Sequence, residues 1–294
     1  MAPSFDVTYE SVDIEVCAAN TFGAGLPASP IRLKLSGYAP AAIMVSSALF
    51  YYFFLVPVAF PQSKPDEKDT ASIAFLKSWR SGHNLFLFLY SAVCCFSTAA
   101  WLFSEGQLFD WHALLCTPVE GTWLRFLSTT FTLSKIVEWV DTAFLVWLGS
   151  TPPQFLHKYH HATTFWLFCF VMNMPGPEKF GLLMNGGVHT LMYSHYWRSW
   201  PKGLVPIITV LQIAQLATVT YAWAVSPGEC MDSSFSGFDV ARLLPSTDFI
   251  LAFLTPYAMV PVFLWLFIVF FVKRFILKKS KGGGASKKSK SKKG

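Results

Sequence analysis

Charge is what this sequence has least of. Of its 294 residues only 14% are charged, while 53% are hydrophobic and 17% aromatic. A soluble globule carries about a quarter charged residues. The scarcity therefore excludes a water-soluble fold and points to a chain that crosses a bilayer several times. Cysteine is also scarce: six in the whole chain make no disulfide framework. Cys94, Cys95 and Cys169 fall in apolar runs and read as small packing residues. No cleaved leader is expected, because the first 37 residues are fairly polar and the first long apolar run starts near Tyr38. Basic residues are missing between Ser104 and Thr122, a gap that bears on orientation.

What is present is a series of apolar runs, at about 38–60, 83–103, 122–148, 155–173, 178–197, 204–225 and 247–272. Each covers roughly the 20 residues a helix needs to cross hydrocarbon. Seven spans put the termini on opposite sides. Lys64, Lys68, Lys77 and Arg80 in the first loop, Arg198 and Lys202 in the fifth, and Lys273, Arg274, Lys278 and Lys279 then share one side. The opposite loops hold little beyond Lys179 and Arg242. Basic residues gather on the cytosolic side, so the expected C-terminus is cytosolic and the N-terminus lumenal. The expected organisation is a lumenal segment 1–37, a seven-helix domain 38–277 and a basic tail 278–294, disordered by composition. Most of the net charge of +6 comes from that tail and favours an anionic membrane surface over nucleic acid. Lys290 and Lys292, fifth and third from the end, resemble a KxKxx signal for return to the endoplasmic reticulum. Cys116 and Cys230 share the lumenal side, where oxidation is open to them. Whether they bond depends on a separation that co-location does not fix.

Polar residues inside these runs form stripes. His157, His160 and His161 make an HxxHH box at i, i+3 and i+4, one face of a helix. Lys135, Glu138, Asp141 and Thr142 share a face of the third run. Asn185, His189, Met192, Tyr193 and Tyr196 share a face of the fifth, and Thr209, Gln212 and Gln215 lie in the sixth. Ionisable groups at membrane depth face protein or a watery cavity, and are functional candidates by default. The orientation drawn from loop charge places all four stripes in the cytosolic half, level with His83 and Asn84. Thr209, Gln212 and Gln215 also fit simple interhelical glue. Lys135 with Glu138 fits a structural ion pair.

Clustered membrane histidines serve two chemistries. Imidazole ligates iron or zinc, and membrane desaturases and hydroxylases use such boxes in sets of three. This chain has one box and seven histidines, with His112 on the wrong side, so the usual di-iron site does not assemble. A neutral imidazole is also a nucleophile and general base for acyl transfer. No cysteine lies among the stripes to take that role. A seven-helix transporter or receptor shares the topology but has no need of the box.

The stripes are also motifs. Lys135–Thr142 reads KxxExxDT, Phe155–His161 reads FLHxxHH, Asn185–Tyr193 reads NxxxHxxMY and Thr209–Gln215 reads TxxQxxQ. In this order and spacing they resemble the ELO family of very-long-chain fatty acid elongases, over about residues 38–279. His195 departs from the aromatic residue the family commonly has there.

The resemblance implies an all-α membrane protein of the endoplasmic reticulum with seven transmembrane helices. Six would form an inverted barrel around an acyl tunnel. It implies condensation of a long-chain acyl-CoA with malonyl-CoA to 3-oxoacyl-CoA, CoA and CO2, with no metal or redox cofactor. His160 is expected to take the acyl group, with His157 and His161 orienting and polarising and His189 assisting proton movement or decarboxylation. Glu138 and Asp141 are expected to fix histidine tautomers. Lys135, Thr142, Asn185, Met192, Tyr193, Gln212, Gln215, His83 and Asn84 are expected on the substrate side. Ala162–Trp166 and Met192–Tyr196 resemble elongases of polyunsaturated chains, whereas Asn185–His189 is closer to those acting on saturated and monounsaturated chains. The expectation leans to polyunsaturated substrates. Implied partners are the bilayer, the two CoA substrates and the other enzymes of the cycle, with a homodimer left open.

Overall fold

The computed structural model describes residues 12–13, 34–35, 51, 70–117, 121–148, 154–171, 177–230 and 247–277. Apart from Tyr51, the expected first span lies outside the described residues, as do the tail, its KxKxx signal and Arg242. In the N-terminal segment, β1 (Val12–Asp13) pairs antiparallel with β2 (Lys34–Leu35). The rest of the described chain is helical: α1 (Thr70–Ser104), α2 (Trp111–Cys116), α3 (Thr122–Val137), α4 (Trp139–Trp147) and α5 (Phe155–Val171). There follow α6 (Pro177–Phe180), a π-helical turn Gly181–Asn185, α7 (Gly186–Trp197), α8 (Val205–Cys230) and α9 (Thr247–Phe271), which ends in a second π turn, Val272–Leu277.

Among the described residues, three helical segments are long and apolar enough to cross a membrane on their own: Thr70–Ser104, Val205–Val225 and Tyr257–Leu277. Helix α1 begins well before the expected span at 83, so Lys77 and Arg80 ride on helix rather than loop. At 1.5 Å per residue its 35 residues reach about 52 Å, against roughly 30 Å of hydrocarbon. The third run is not one helix but two, parted at Glu138. The flanking Ile136, Val137, Trp139 and Val140 are β-branched or aromatic and hold a helix weakly. There the chain tightens, Asp141 N–H donating to the Glu138 carbonyl three residues back at 3.0 Å.

Polarity runs inside out. The buried stripe of α1 is Asn84, Leu87, Ser91, Cys94, Thr98 and Leu102, while Phe86, Leu89, Val93, Phe96 and Phe103 are exposed. A lipid-facing surface calls for that apolar outside, and small or polar residues at the helix contact let backbones approach. Gly186 shows how close: a Cβ there would lie 3.3 Å from the Ser91 carbonyl oxygen of α1.

Packing contacts run from α1 to α3, α3 to α5, α5 to α9, α9 to α8, α8 to α7 and α7 back to α1, a closed circuit of six elements. Directions alternate with chain order. Phe131 of α3 packs on Phe168 near the end of α5, while Thr142 of α4 meets His157 near its start. Asn84 near the start of the buried part of α1 donates to the Tyr196 carbonyl near the end of α7.

Lys179 was expected as a loop charge, but it is fully buried in α6. Its ammonium donates to the Ala113 carbonyl (2.6 Å), the Thr117 hydroxyl (2.6 Å) and Gln107 Oε1 (3.3 Å), so it ties down the end of α2. Cys94 and Cys95 are free thiols, and Cys116 of α2 is disulfide-bonded. The side chain of Cys230 lies outside the described residues, although α2 packs against α8, which ends there.

Candidate active site

Asp141, in the first turn of α4, joins three elements. His83 Nε2 of α1 donates to Oδ1 at 2.9 Å, and the Tyr193 hydroxyl of α7 donates to Oδ2 at 2.7 Å. A carboxylate only accepts, so both partners must present protons to it. Tyr193 is fully buried. The next residue, Thr142, meets His157 Nε2 of α5 at 2.9 Å and the buried Tyr51 hydroxyl at 2.7 Å.

One turn earlier lies a second charged group. Lys135 Nζ donates to Glu138 Oε1 at 2.7 Å and to Asn185 Oδ1 at 3.2 Å. The ammonium also sits 4.0 Å from the Phe131 ring centroid and 5.0 Å from that of Phe168. His189 Nδ1 comes within 3.4 Å of the same Glu138 oxygen, without hydrogen-bond geometry. Asn185 is placed by the π turn it ends. Such turns re-aim side chains and recur at functional sites.

The histidine box stands between these groups and a cavity. The rings of His157 and His161 lie 4.2 Å apart and those of His160 and His161 5.4 Å. Trp139 Nε1–H donates to the His161 carbonyl at 2.7 Å, holding α4 against the box. The Thr164 hydroxyl donates to the His160 carbonyl. Among the described residues, the buried His161 Nδ1 and His189 Nδ1 have no hydrogen-bond partner. Buried polar atoms are nearly always paired, so two unpaired ring nitrogens in one site are a capacity to hold a reacting group.

His160 lines a cavity of about 70 Å3 together with Thr164, Asn185 and Gln215. The rest of its wall is mostly apolar, with Leu167, Phe168, Leu216, Val219, Val260 and Phe263, then Leu115, Phe180, Ala222 and Trp223 beside α2. Leu115, Cys116, Phe180 and Ala222 pack together as a buried cluster there. The cavity therefore has polar groups around an imidazole and a hydrocarbon far end.

All four polar stripes thus meet. Asn84, Thr209 and Gln215 are buried, and Gln212 Nε2 approaches Met192 Sδ at 3.8 Å. Each carboxylate lies beside a histidine outside the box, Asp141 bonding His83 and Glu138 facing His189, while His157 of the box bonds a hydroxyl. His195 accepts from Trp200 N–H at 2.9 Å and closes the turn after α7. Among the described residues, no three His, Cys, Asp or Glu side chains group as a metal site. Sequence reasoning missed Tyr51, Trp139, Thr164 and Phe263. Only Thr164, one turn after His160, carries a periodic signal.

The fold and site define a multi-pass helical membrane protein with a buried histidine cluster at the head of an apolar cavity. The model of the "ELO: GNS1/SUR4 family" matches residues 38–283, and the chain belongs to that family. It is similar to human "Very long chain fatty acid elongase 3", 35% identical over 123 residues, covering 37% of this chain and 45% of the relative. "Long chain fatty acid elongase 1" of Caenorhabditis elegans is 33% identical over 165 residues, covering 51% of each. "Fatty acid elongase 3" of Trypanosoma brucei brucei is 40% identical over 103 residues, 32% of this chain and 34% of the relative. The chain spans about half the length, or less, of these relatives.

Proposed function

We propose that this protein is the condensing enzyme of fatty acid elongation, joining a long-chain acyl-CoA to malonyl-CoA. The observation that carries the reading is His160 lining a cavity whose far wall is hydrocarbon, with Asn185 and Gln215 among its polar residues. An imidazole can attack a thioester, and the apolar wall suits the acyl tail. Family membership supports the same reading.

In this reading a His160 ring nitrogen attacks the acyl thioester carbonyl, and CoA leaves as a thiolate that takes up a proton. Malonyl-CoA loses CO2, its carbanion attacks the acyl-imidazole carbonyl, the carbon–nitrogen bond breaks, and 3-oxoacyl-CoA departs two carbons longer. His189 Nδ1 and His161 Nδ1, buried and unpaired, supply polar contact to the reacting groups. Asn185 steadies Lys135, Lys135 steadies Glu138, and Glu138 faces His189. The six-element circuit is the wall of an acyl tunnel in this reading. The chain works in the endoplasmic reticulum with its C-terminus in the cytosol, where CoA esters arrive. Polyunsaturated acyl chains are the preferred substrates.

The test is purified protein in detergent with radiolabelled malonyl-CoA and a panel of acyl-CoAs. CO2 release and a 3-oxoacyl product two carbons longer are expected, together with a mass increment of one acyl group on the His160 peptide when malonyl-CoA is withheld. His160→Ala is expected to abolish both. Normal condensation by that variant refutes the nucleophile.

A further inference from the structure

Tyr51 belongs to the first apolar run, outside the six-element circuit, yet it is fully buried against the site. Its ring packs 4.9 Å from Trp139, whose indole N–H holds the His161 carbonyl. Its hydroxyl meets Thr142 Oγ1 at 2.7 Å, and Thr142 Oγ1 meets His157 Nε2 at 2.9 Å. The contacts form a chain, Tyr51–Thr142–His157, and the proton count gives that chain a direction.

A buried phenol must donate its proton or pay the cost of an unsatisfied donor. Among the described residues the only acceptor within reach of the Tyr51 hydroxyl is Thr142 Oγ1. Thr142 has one proton of its own to place. A helical threonine ordinarily gives that proton to the carbonyl four residues back. Thr98, Thr130, Thr132, Thr163, Thr190 and Thr220 all do so here. Thr142, which follows the break at Glu138, does not: among the described residues its hydroxyl meets Tyr51 and His157. With Tyr51 donating to it, the Thr142 hydroxyl is left to donate to His157 Nε2. That nitrogen is then an acceptor, and the ring carries its proton on Nδ1.

We infer that Tyr51 is a positioning residue that, through Thr142, fixes His157 as its Nδ1–H tautomer. The consequence for catalysis rests on the condensing-enzyme reading. The His157 ring lies 4.2 Å from that of His161, which adjoins His160, so the tautomer decides whether the box presents a donor or an acceptor. The proton assignment itself does not depend on that reading.

The experiment is nitrogen-15 NMR of the full chain labelled at histidine, in detergent, with His157→Gln to assign the resonance. Steady-state condensation kinetics are measured on the same preparations. Wild type is expected to show His157 protonated at Nδ1. Tyr51→Phe frees Thr142 to accept, so both tautomers are expected, with kcat down about threefold to tenfold, the worth of one hydrogen bond, and KM unchanged. Thr142→Val is expected to behave as Tyr51→Phe does, and supplies the test should the latter not fold. Thr142→Ser, which keeps the hydroxyl, restores tautomer and rate. A wild-type His157 protonated at Nε2 overturns the inference, and so does a folded Tyr51→Phe whose spectrum and kcat match wild type. If the wild-type chain condenses nothing, the enzymatic reading fails while the spectra still decide the tautomer.

Discussion

Lys135→Met separates two ways of losing one ion pair. Lys135 and Glu138 are 1% and 4% exposed at the side chain and 2.7 Å apart. At an effective dielectric of about 20 their attraction is about 6 kcal/mol, and desolvating the two ions costs several kcal/mol each. The pair is thus close to neutral as a unit, yet breaking it by removing one partner costs about 3–5 kcal/mol. Lys135→Met strands the Glu138 carboxylate, with the His189 ring 3.4 Å away but without hydrogen-bond geometry. Glu138→Gln is milder. It leaves the ammonium an amide acceptor at 138, Asn185 Oδ1, and two aromatic faces at 4.0 and 5.0 Å. The double variant Lys135→Met with Glu138→Leu removes both charges and is expected to recover most of the loss. Thermal unfolding followed by fluorescence of the eleven tryptophans reads the series. At about 2–4 °C per kcal/mol, Lys135→Met is expected to melt roughly 6–20 °C below wild type. Glu138→Gln should lose less than half as much, and the double variant should lie within about 4 °C of wild type. A double variant as unstable as Lys135→Met, or a Glu138→Gln that melts below it, refutes the reasoning.

A Cβ at Gly181 would lie 2.6 Å from Phe168 Cε1, and Phe168 lines the cavity. Gly181→Ala is therefore expected to cost about 1–3 kcal/mol by overpacking and to raise the KM for acyl-CoA with kcat little changed. Leu115 lines the hydrocarbon end of the cavity. Leu115→Trp is expected to shift acceptance towards shorter acyl chains, read from product lengths across an acyl-CoA panel, without lowering turnover of the shortest. Lys179→Met removes the donor to the Ala113 carbonyl and Thr117 hydroxyl. Faster hydrogen exchange confined to α2 and its flanks is expected, measured by mass spectrometry in detergent.

How legible this protein was varies with the kind of question. That the four polar stripes meet was readable, because an amide, imidazole or carboxylate at membrane depth has to turn towards protein. Which partner each side chain takes was not. Periodicity fixes the face a residue occupies but leaves axial position free by a turn, and a turn separates Glu138 from Asp141 and Thr142. Lys179 misled for a related reason: loop charge and buried strut look alike in sequence, and three acceptors from a distant segment decide between them. Tyr51 carried no signal, since an aromatic residue in an apolar run is ordinary.

The break at Glu138 shows what the sequence pattern could carry once the register is known. Glu138 and Asp141 are one turn apart, and so are His189 and Tyr193 on α7. Glu138 faces His189, and Asp141 bonds Tyr193, so both pairings advance in the same direction along the two chains. The broken helix and α7 therefore run parallel, as third and fifth spans of an alternating topology must. His83, near the start of the buried part of α1, bonds Asp141 near the end of the broken helix, as an antiparallel second and third span require. Side-chain pairing thus brings these polar groups to one level along the packed helices. The break then divides the work at that level. It leaves Glu138 with Lys135 and His189, and turns Asp141 and Thr142 to His83, Tyr193 and His157. Of the box, His157 is held by that second group, His160 opens on the cavity, and His161 lies between them, within 4.2 and 5.4 Å of its neighbours. Thr142, just past the break, places its hydroxyl on Tyr51 and His157 rather than on the carbonyl at 138. A hydroxyl beside an interruption that periodicity does not predict is thus what the histidine box meets.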